Sequence, residues 1–319
     1  DQQSPEEAAT YWSKYLEDYD QQTLLPQEIQ ENPQNKAAGY VAEELDCDLG
    51  GELTRRMESI AKQHQVTINT LMQSAWGLVL QRYNGSRDVV FGSVVSGRPA
   101  EITGIETMIG LFINTIPVRI RAEEGAAFTD VLKATQELAL ASSAYDTYPL
   151  YEIQAQTEQK QSLISHIMVF ENYPMEQQIE QSASGDEDAF EITNVSMFDQ
   201  TSYDFNLIVI PGEAIRISFR YNSLVYKQAG VARMQGHFMH VLEQITANPN
   251  LPVSELELAT QEEMAQILEQ FNATAADYPK DKTIHQMFEE QAERTPEQTA
   301  VVFGESRLTY RELNERANR

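Results

Sequence analysis

The chain has 319 residues, more than the roughly 100 to 200 of one ordinary domain, so one large domain and an additional piece are expected. Its 49 acidic and 23 basic residues give a formal charge of -26, which repels phosphate and anionic lipid surfaces and excludes nucleic acid as an expected partner. The single cysteine, Cys47, excludes an intrachain disulfide framework, and no apolar run approaches the roughly 20 residues that cross a bilayer, so a cytoplasmic protein is expected. Because the chain starts at Asp1 and stops at Arg319 inside a helical pattern, we expect both ends to be cut from a longer protein.

The first quarter of the chain predicts helices around one short strand. Residues 4–7 supply an N-cap serine, a first-turn proline and two early acids, which predict a helix. After a polar stretch at 21–36, residues 40–45 alternate apolar and acidic side chains, as an edge strand does. Apolar residues recur at helical spacing over 49–65 and 67–83, so two helices follow, the second of them buried.

A strand and its neighbour come next. Residues 88–95 are so continuously apolar that both faces of this strand are expected to be covered. An irregular segment follows, then a strand at 113–120 and an alanine-rich helix at 128–143.

Four further apolar runs predict strands at residues 165–170, 191–195, 203–210 and 214–221. Pro211, Gly212 and Glu213 predict a tight turn between the last two strands. The polar and acidic stretch at 172–188 is predicted to be a mobile loop. Together with a helix at 227–246, these runs indicate an α/β fold with a mixed sheet flanked by helices.

The character of the sequence changes after Pro249. Pro252, a helix at 260–270 and an extended stretch at 272–281 are typical of a linker. A new helix begins at Thr283 and is followed by a strand at 300–303 and a turn, so a second domain is expected to start there.

Generic enzyme and metal motifs are missing from the sequence. There is no GxSxG, Walker or GxGxxG pattern. The histidines form no ligand pattern with cysteine or closely spaced carboxylates, so no metal site is predicted; they are His64, His166, His237, His240 and His285.

Residues 91–99, FGSVVSGRP, form the first candidate segment. Here a buried strand runs through Ser96 into Gly97, whose missing Cβ lets another backbone or a ligand approach closely. Arg98 follows, and a charge at the end of a buried strand needs a partner. The alternative is that Arg98 simply extends its head group into solvent at the rim.

Residues 109–119, IGLFINTIPVR, form the second candidate segment. Asn114 and Thr115 place two polar side chains in an apolar run, where buried amides must be hydrogen-bonded to protein, water or ligand. The alternative is that Asn114 ties down a turn.

These segments carry a family resemblance. IGLFINTIPVR resembles the GxFVNT signature of nonribosomal peptide synthetase condensation domains, and FGSVVSGRP is similar to the strand that precedes it. Residues 145–150, YDTYPL, are similar to the family's QDYPFE motif, and residues 220–222, RYN, lie where the family has a related stretch. The four stretches follow one another in the family's order, which makes the resemblance specific.

A second resemblance concerns the end of the chain. Residues 283–290, TIHQMFEE, and 308–319, LTYRELNERANR, resemble the opening of an adenylation domain. The resemblances together imply three parts: a condensation-domain C-terminal lobe at 1–252, a linker at 253–282, and the truncated start of an AMP-binding adenylation domain at 283–319.

The resemblance also implies a chloramphenicol-acetyltransferase-like fold of two lobes with the active site in a tunnel between them. The family's HHxxxDG motif, whose second histidine assists attack of the acceptor amine on the donor thioester, belongs to the other lobe. No two histidines are adjacent in this chain, so no catalytic residue is expected in it and the chain alone is expected to be inactive. Phosphopantetheine would be carried by partner carrier domains, and ATP with Mg²⁺ would bind only a complete adenylation domain; this chain is expected to bind no cofactor.

Particular residues acquire roles from the same resemblance. Arg98 would pair with the aspartate of the HHxxxDG motif, Asn114 would line the tunnel near the reacting centre, and Gly97 would permit close approach of a chain or pantetheine arm. Further lining would come from Ser96, Thr115 and Tyr148. The implied partners are the other condensation lobe, peptidyl carrier domains and the adenylation domain of one multifunctional ligase of antibiotic and secondary-metabolite biosynthesis.

Two other interpretations stay open at this point. The chain could be a non-catalytic scaffold that positions carrier and adenylation domains. It could also derive from the related epimerization domain, although the 109–119 segment and an adenylation opening directly downstream fit a condensation domain better.

Overall fold

A computed structural model describes residues 4–27, 39–98, 102–171, 201–277 and 279–319. The chain divides into two compact units, Asp1–Gln261 and Glu262–Arg319. The strand predicted at 191–195 and the loop predicted at 172–188 lie outside the described residues. In the ranges that the structure describes, no helix is both long and apolar enough to cross a membrane.

The first unit combines helices with one sheet. Its described helices are α1 Pro5–Tyr15, α2 Gly50–His64, α3 Ile68–Asn84, α4 Phe128–Ser143, α5 Leu150–Ala155 and α6 Gln228–Ala247. Its described strands are β1 Ala42–Asp48, β2 Asp88–Val95, β3 Asn114–Arg121, β4 Ile167–Phe170, β5 Phe205–Ile210 and β6 Arg216–Asn222. Shorter 3₁₀ turns lie at Ile105–Thr107, Lys160–Leu163 and Val253–Glu255.

The described strands form one mixed sheet in the order β1-β6-β5-β4-β2-β3. β2 pairs in parallel with β4, and β4 with β5, whereas the pairs β2–β3, β5–β6 and β1–β6 are antiparallel. The predicted mixed sheet and the edge position predicted for the first strand are both confirmed. β2 has neighbours on both sides, and its residues 89–93 are buried, as its continuous apolar sequence predicts.

Helices cover both faces of this sheet. Val89 and Phe91 belong to the large core cluster that also contains side chains of α2, α3, α4 and α6. Val90, between them, belongs to a second cluster with Trp12 of α1 and Ile153 of α5. Because neighbouring strand residues point to opposite faces, β2 supplies both cores.

Helix α3 packs closely against the sheet, with a glycine at the point of contact. Residues 70–81 are all buried. At Gly77 an added Cβ would lie only 2.4 Å from Ile120 Cγ1 of β3, so a larger residue there would push helix and strand apart.

Hydrogen bonds of one buried arginine, Arg119, hold α1 against the sheet. Arg119 of β3 donates from Nη2 to the Asp88 carboxylate at 2.6 Å and from Nη1 to the carbonyls of Tyr15 and Glu17, each at 2.8 Å. The Arg119 backbone N–H donates to Tyr15 Oη at 2.8 Å, and burial raises the pKa of Tyr15. Arg119 of β3 therefore holds the end of α1, and Asp88 of β2 holds Arg119 in place.

Near the boundary of the two units lie α7, Gln261–Ala265, and a π-helical turn, Gln266–Gln270. The second unit then contains α8 Ile284–Arg294, β7 Thr299–Phe303, β8 Ser306–Thr309 and α9 Tyr310–Ala317. β7 and β8 form a hairpin whose turn contains Gly304 at φ 59°, a left-handed conformation that suits glycine. The predicted helix, strand and turn of this region are present.

Candidate functional site

Gly97 closes the base of the connection between β2 and β3. Its φ is 58°, and an added Cβ would lie 1.8 Å from the carbonyl oxygen of Phe112, at the other end of the connection. Only glycine allows both the left-handed backbone and this approach. The close approach predicted at Gly97 is therefore made, in this chain, by the backbone of its own loop.

Arg98 braces the same loop from inside. Its Nη1 donates to the carbonyls of Ile105 and Met108, and its Nη2 donates to the Met108 carbonyl at 3.1 Å. Its guanidinium carbon lies 4.2 Å from the ring centroid of Phe112, a cation–π arrangement. Among the described residues its partners are thus carbonyls and an aromatic ring, and the side chain does not simply extend into solvent.

Asn114 joins two motifs that are distant in sequence. Its Nδ2 donates to the carbonyl of Asp146 at 2.7 Å and to that of Tyr148 at 2.8 Å. The 145–150 segment is also held to α1, because Trp12 Nε1 donates to the Tyr145 carbonyl at 3.2 Å and the Tyr145 ring stacks on Tyr11. The start of β3 and the segment before α5 therefore form one bonded structure.

The other predicted site residues lie nearby. In the β2–β3 register Val95 faces Asn114 and Val94 faces Thr115, so Thr115 is adjacent to the Asn114 bonds. Ser96 is exposed at the end of β2, whereas Tyr148 is half-buried against the core cluster beneath α1 and α5. All six predicted residues thus lie at the end of β2, at the start of β3, or on the segment that Asn114 holds.

The loop braced by Arg98 presents apolar side chains to solvent. Ile109 and Leu111 are 103% and 95% exposed. We call the exposed set the apolar crest; it consists of Ile102, Met108, Ile109, Leu111 and Ile113. Exposed apolar side chains concentrated in one loop are typical of an interaction site. The apolar residues 109, 111 and 113, in a segment that follows no helical or strand pattern, are the sequence signal for this surface.

His166 is fully buried and is the one histidine with a strongly shifted pKa among the residues described. Its Nε2 accepts from Trp76 Nε1 at 2.9 Å, which leaves the proton on Nδ1 for Ser165 Oγ at 3.0 Å. Burial lowers the pKa of His166 to about 3, so the ring is neutral at ordinary pH. A neutral imidazole enclosed by the core fits a structural role. Among the described residues, no cluster of three or more His, Cys, Asp or Glu side chains is arranged to hold a metal ion.

Known proteins match this chain along its length. Residues 1–268 match the family model described as Condensation domain. The chain is 55% identical over 318 residues to a mycosubtilin synthase subunit of Bacillus subtilis, covering 100% of this chain and 12% of that protein. It is 44% identical to a plipastatin synthase subunit of Bacillus subtilis (strain 168), covering 99% of this chain and again 12% of the relative. The chain thus spans about an eighth of the length of these relatives.

Solved structures share the fold. A four-domain nonribosomal peptide synthetase in its holo form, bound to AMP and glycine, matches with a TM-score of 0.71 at 17% identity, covering 96% of this chain and 24% of that chain. The first condensation domain of the CDA synthetase matches with a TM-score of 0.58 at 18% identity, covering 80% of this chain and 53% of that chain.

Proposed function

Because the chain belongs to the condensation-domain family, we propose that it supplies one lobe of the site at which a nonribosomal peptide synthetase forms a peptide bond. The observation that carries the proposal is that three motif segments meet at one end of β2 and β3. Gly97 brings residues 91–99 against 109–119, and Asn114 binds 145–150. The proposed substrates are a donor acyl or peptidyl thioester and an acceptor aminoacyl thioester, each on the phosphopantetheine arm of a carrier domain.

The general base of the proposed reaction lies in the other lobe. As the acceptor amine attacks the thioester carbonyl, the base takes a proton from the amine and the C–N bond forms; the C–S bond then breaks with its electron pair on sulfur, and the protonated base returns the proton to give the free thiol. The HHxxxDG histidine of the family fits this role, and no two histidines are adjacent in this sequence. His166 is not a substitute, because it is fully buried and its pKa of about 3 makes it a very weak base. The chain alone is therefore proposed to be inactive.

Arg98 is proposed to hold the aspartate of that motif. A guanidinium has five N–H donors, and three hydrogen bonds from Arg98 are formed within its loop. The group is only half-buried and stands at the base of the apolar crest, so donors remain for a carboxylate that approaches from the partner lobe. In this arrangement Arg98 positions the catalytic loop of the partner lobe. The apolar crest is buried against the same lobe.

The domain assignment is part of the proposal. Residues 1–252 are proposed as the C-terminal lobe, 253–282 as the linker and 283–319 as the start of an adenylation domain, whose complete form would bind ATP and Mg²⁺. The proposed partners are the other lobe, carrier domains and the adenylation domain. Since the relatives are named as mycosubtilin and plipastatin synthases, the proposed pathway class is biosynthesis of an antibiotic-type secondary metabolite.

One observation favours the alternative of a non-catalytic scaffold. The Nδ2 donors of Asn114 bind backbone carbonyls of the chain, and Arg98 braces its own loop. Both residues therefore have a structural role without any substrate. A scaffold would organise carrier and adenylation domains without contributing to the reacting centre.

A chimera separates these two functions. Replacing the matching segment of the mycosubtilin synthase relative by this chain is expected to leave peptide formation on loaded carriers intact, since the two segments are 55% identical. In the chimera Arg98→Gln should lower the rate of peptide formation at least tenfold, because the partner carboxylate loses its cation. Product is measured by mass spectrometry of carrier-bound peptide.

The control for this experiment is Arg55→Gln, which removes an exposed ion pair with Glu52 on α2. It should leave the rate unchanged. A folded chimera with loaded carriers but no peptide would reject catalysis and favour the scaffold. Equal rates for Arg98→Gln and the control would reject the positioning role of Arg98.

A further inference from the structure

The segment that follows Pro252 is docked on the first unit although its sequence is typical of a linker. We call Val253–Leu258 the strap. Its first residues form a 3₁₀ turn, Val253–Glu255, and one arginine and one glutamine on neighbouring helices bind its backbone.

Arg82, near the end of α3, binds three strap carbonyls. Its Nη2 donates to the carbonyl oxygens of Val253 at 2.8 Å, Ser254 at 3.0 Å and Leu256 at 2.9 Å. The Val253 carbonyl also accepts the Leu256 N–H at 3.3 Å within the turn, whereas the carbonyls of Ser254 and Leu256 lie at the end of the turn, where a 3₁₀ turn leaves its acceptors without partners of its own. A cation placed there also interacts favourably with the negative end of the turn.

Gln244 of α6 binds both backbone groups of the next residue. Its Oε1 accepts from the Glu257 N–H at 3.0 Å, and its Nε2 donates to the Glu257 carbonyl at 2.7 Å. A single side chain thereby pairs with residue 257 as a neighbouring strand would.

Burial and backbone bonds complete the docking. Leu256 is 6% exposed and belongs to the main core cluster, against which Val253 and Leu258 also pack. The Val253 N–H donates to the Ala126 carbonyl at 2.8 Å, and Pro252 forms a β-bridge with Ala127. Beyond the strap, in contrast, Leu268 and Phe271 are 60% and 67% exposed.

We propose that Arg82 and Gln244 form a clamp that fixes the strap, so that free movement of the chain leading to the second unit begins after Leu258 and not at Pro252. Releasing six residues would lengthen the available connector by up to about 20 Å, at roughly 3.3 to 3.6 Å for each extended residue. The clamp therefore sets where the connector to the second unit begins and how long it is. This inference is independent of the proposed condensation function.

Hydrogen exchange on the full chain tests the clamp locally. In the unmodified protein the amides of Val253, Leu256 and Glu257 should exchange at least 100-fold more slowly than those of residues 272–277. Arg82→Gln and, separately, Gln244→Leu should accelerate the strap amides at least tenfold while α3 amides stay protected. Arg87→Gln is the matched control, because this exposed arginine on the neighbouring turn pairs with Glu124 of the loop before α4.

A distance measurement tests the consequence for movement. Spin labels at Glu58 of α2 and Glu315 of α9, both exposed, are introduced in a Cys47→Ala background. The distance distribution should broaden in the Arg82→Gln, Gln244→Leu double variant and not in Arg87→Gln. Strap amides that exchange as fast as 272–277 in the unmodified chain, or a distribution that the double variant leaves unchanged, would overturn the proposal.

Discussion

Gly97→Ala is expected to lower the rate of peptide formation by about 100-fold in the chimeric synthetase, the loss that a displacement of about 1 Å at a site can cause. The added Cβ would lie 1.8 Å from the Phe112 carbonyl oxygen, and a backbone atom cannot rotate away as a side chain can. The two ends of the connection between β2 and β3 must therefore move apart. Phe112 would then move, and Arg98, whose guanidinium lies over the Phe112 ring, would lose its position.

Gly104→Ala is the matched control for this variant. Gly104 lies in the same loop with φ 78°, but its nearest neighbour to an added Cβ is Thr107 Oγ1 at 3.9 Å. It carries the same left-handed strain, about 1 to 2 kcal/mol, without the overlap. The rate of peptide formation and the thermal unfolding midpoint are measured for Gly97→Ala and for Gly104→Ala. Equal rates for the two variants would show that the Gly97–Phe112 contact does not position the site.

Acidification is expected to destabilise the first unit through His166. Burial lowers the pKa of this histidine from 6.5 to about 3 in the folded state. Between these two pH values the unfolded chain holds the proton and the folded chain does not, so falling pH favours unfolding. The contribution of the neutral His166 ring to the free energy of unfolding is therefore fully present above about pH 6.5. It is lost at up to about 1.4 kcal/mol per pH unit as the pH falls towards 3.

Urea unfolding at pH 7, 6, 5 and 4 measures this dependence. His166→Gln keeps an acceptor for Trp76 Nε1 but does not titrate, so it should show a shallower loss of unfolding free energy over this range. Identical slopes for His166→Gln and the unmodified protein would contradict the buried neutral imidazole.

Local patterns predicted most of the described elements. The largely apolar run at 88–95 predicts cover on both faces, and the structure buries residues 89–93 of it. Ser4 and Pro5 mark the start of α1, and the Ser4 side chain accepts from the Glu6 N–H, as an N-cap does. These features depend on residues that are close in sequence, so a local sequence pattern is enough to predict them.

Features that depend on distant partners could not be predicted. Asn114 finds its carbonyls 32 and 34 residues away, and Arg82 binds carbonyls 171 to 174 residues away. In sequence Arg82 is only a basic residue near a helix end. For the same reason the composition of residues 253–258 predicts a linker and does not reveal the clamp. The sequence does not predict the short helix α5, because its six residues are too few for a periodic pattern.

We propose that this chain provides the bracing lobe of a condensation site whose base lies in another lobe. The most direct test incubates the purified chain with donor and acceptor aminoacyl thioesters on carrier domains, alone and with a separately expressed lobe that contains HHxxxDG. No peptide is expected from the chain alone, and peptide is expected when the lobe is added but not when its second histidine is replaced by alanine. Peptide formation by the chain alone would show that the chain does not depend on a base in another lobe.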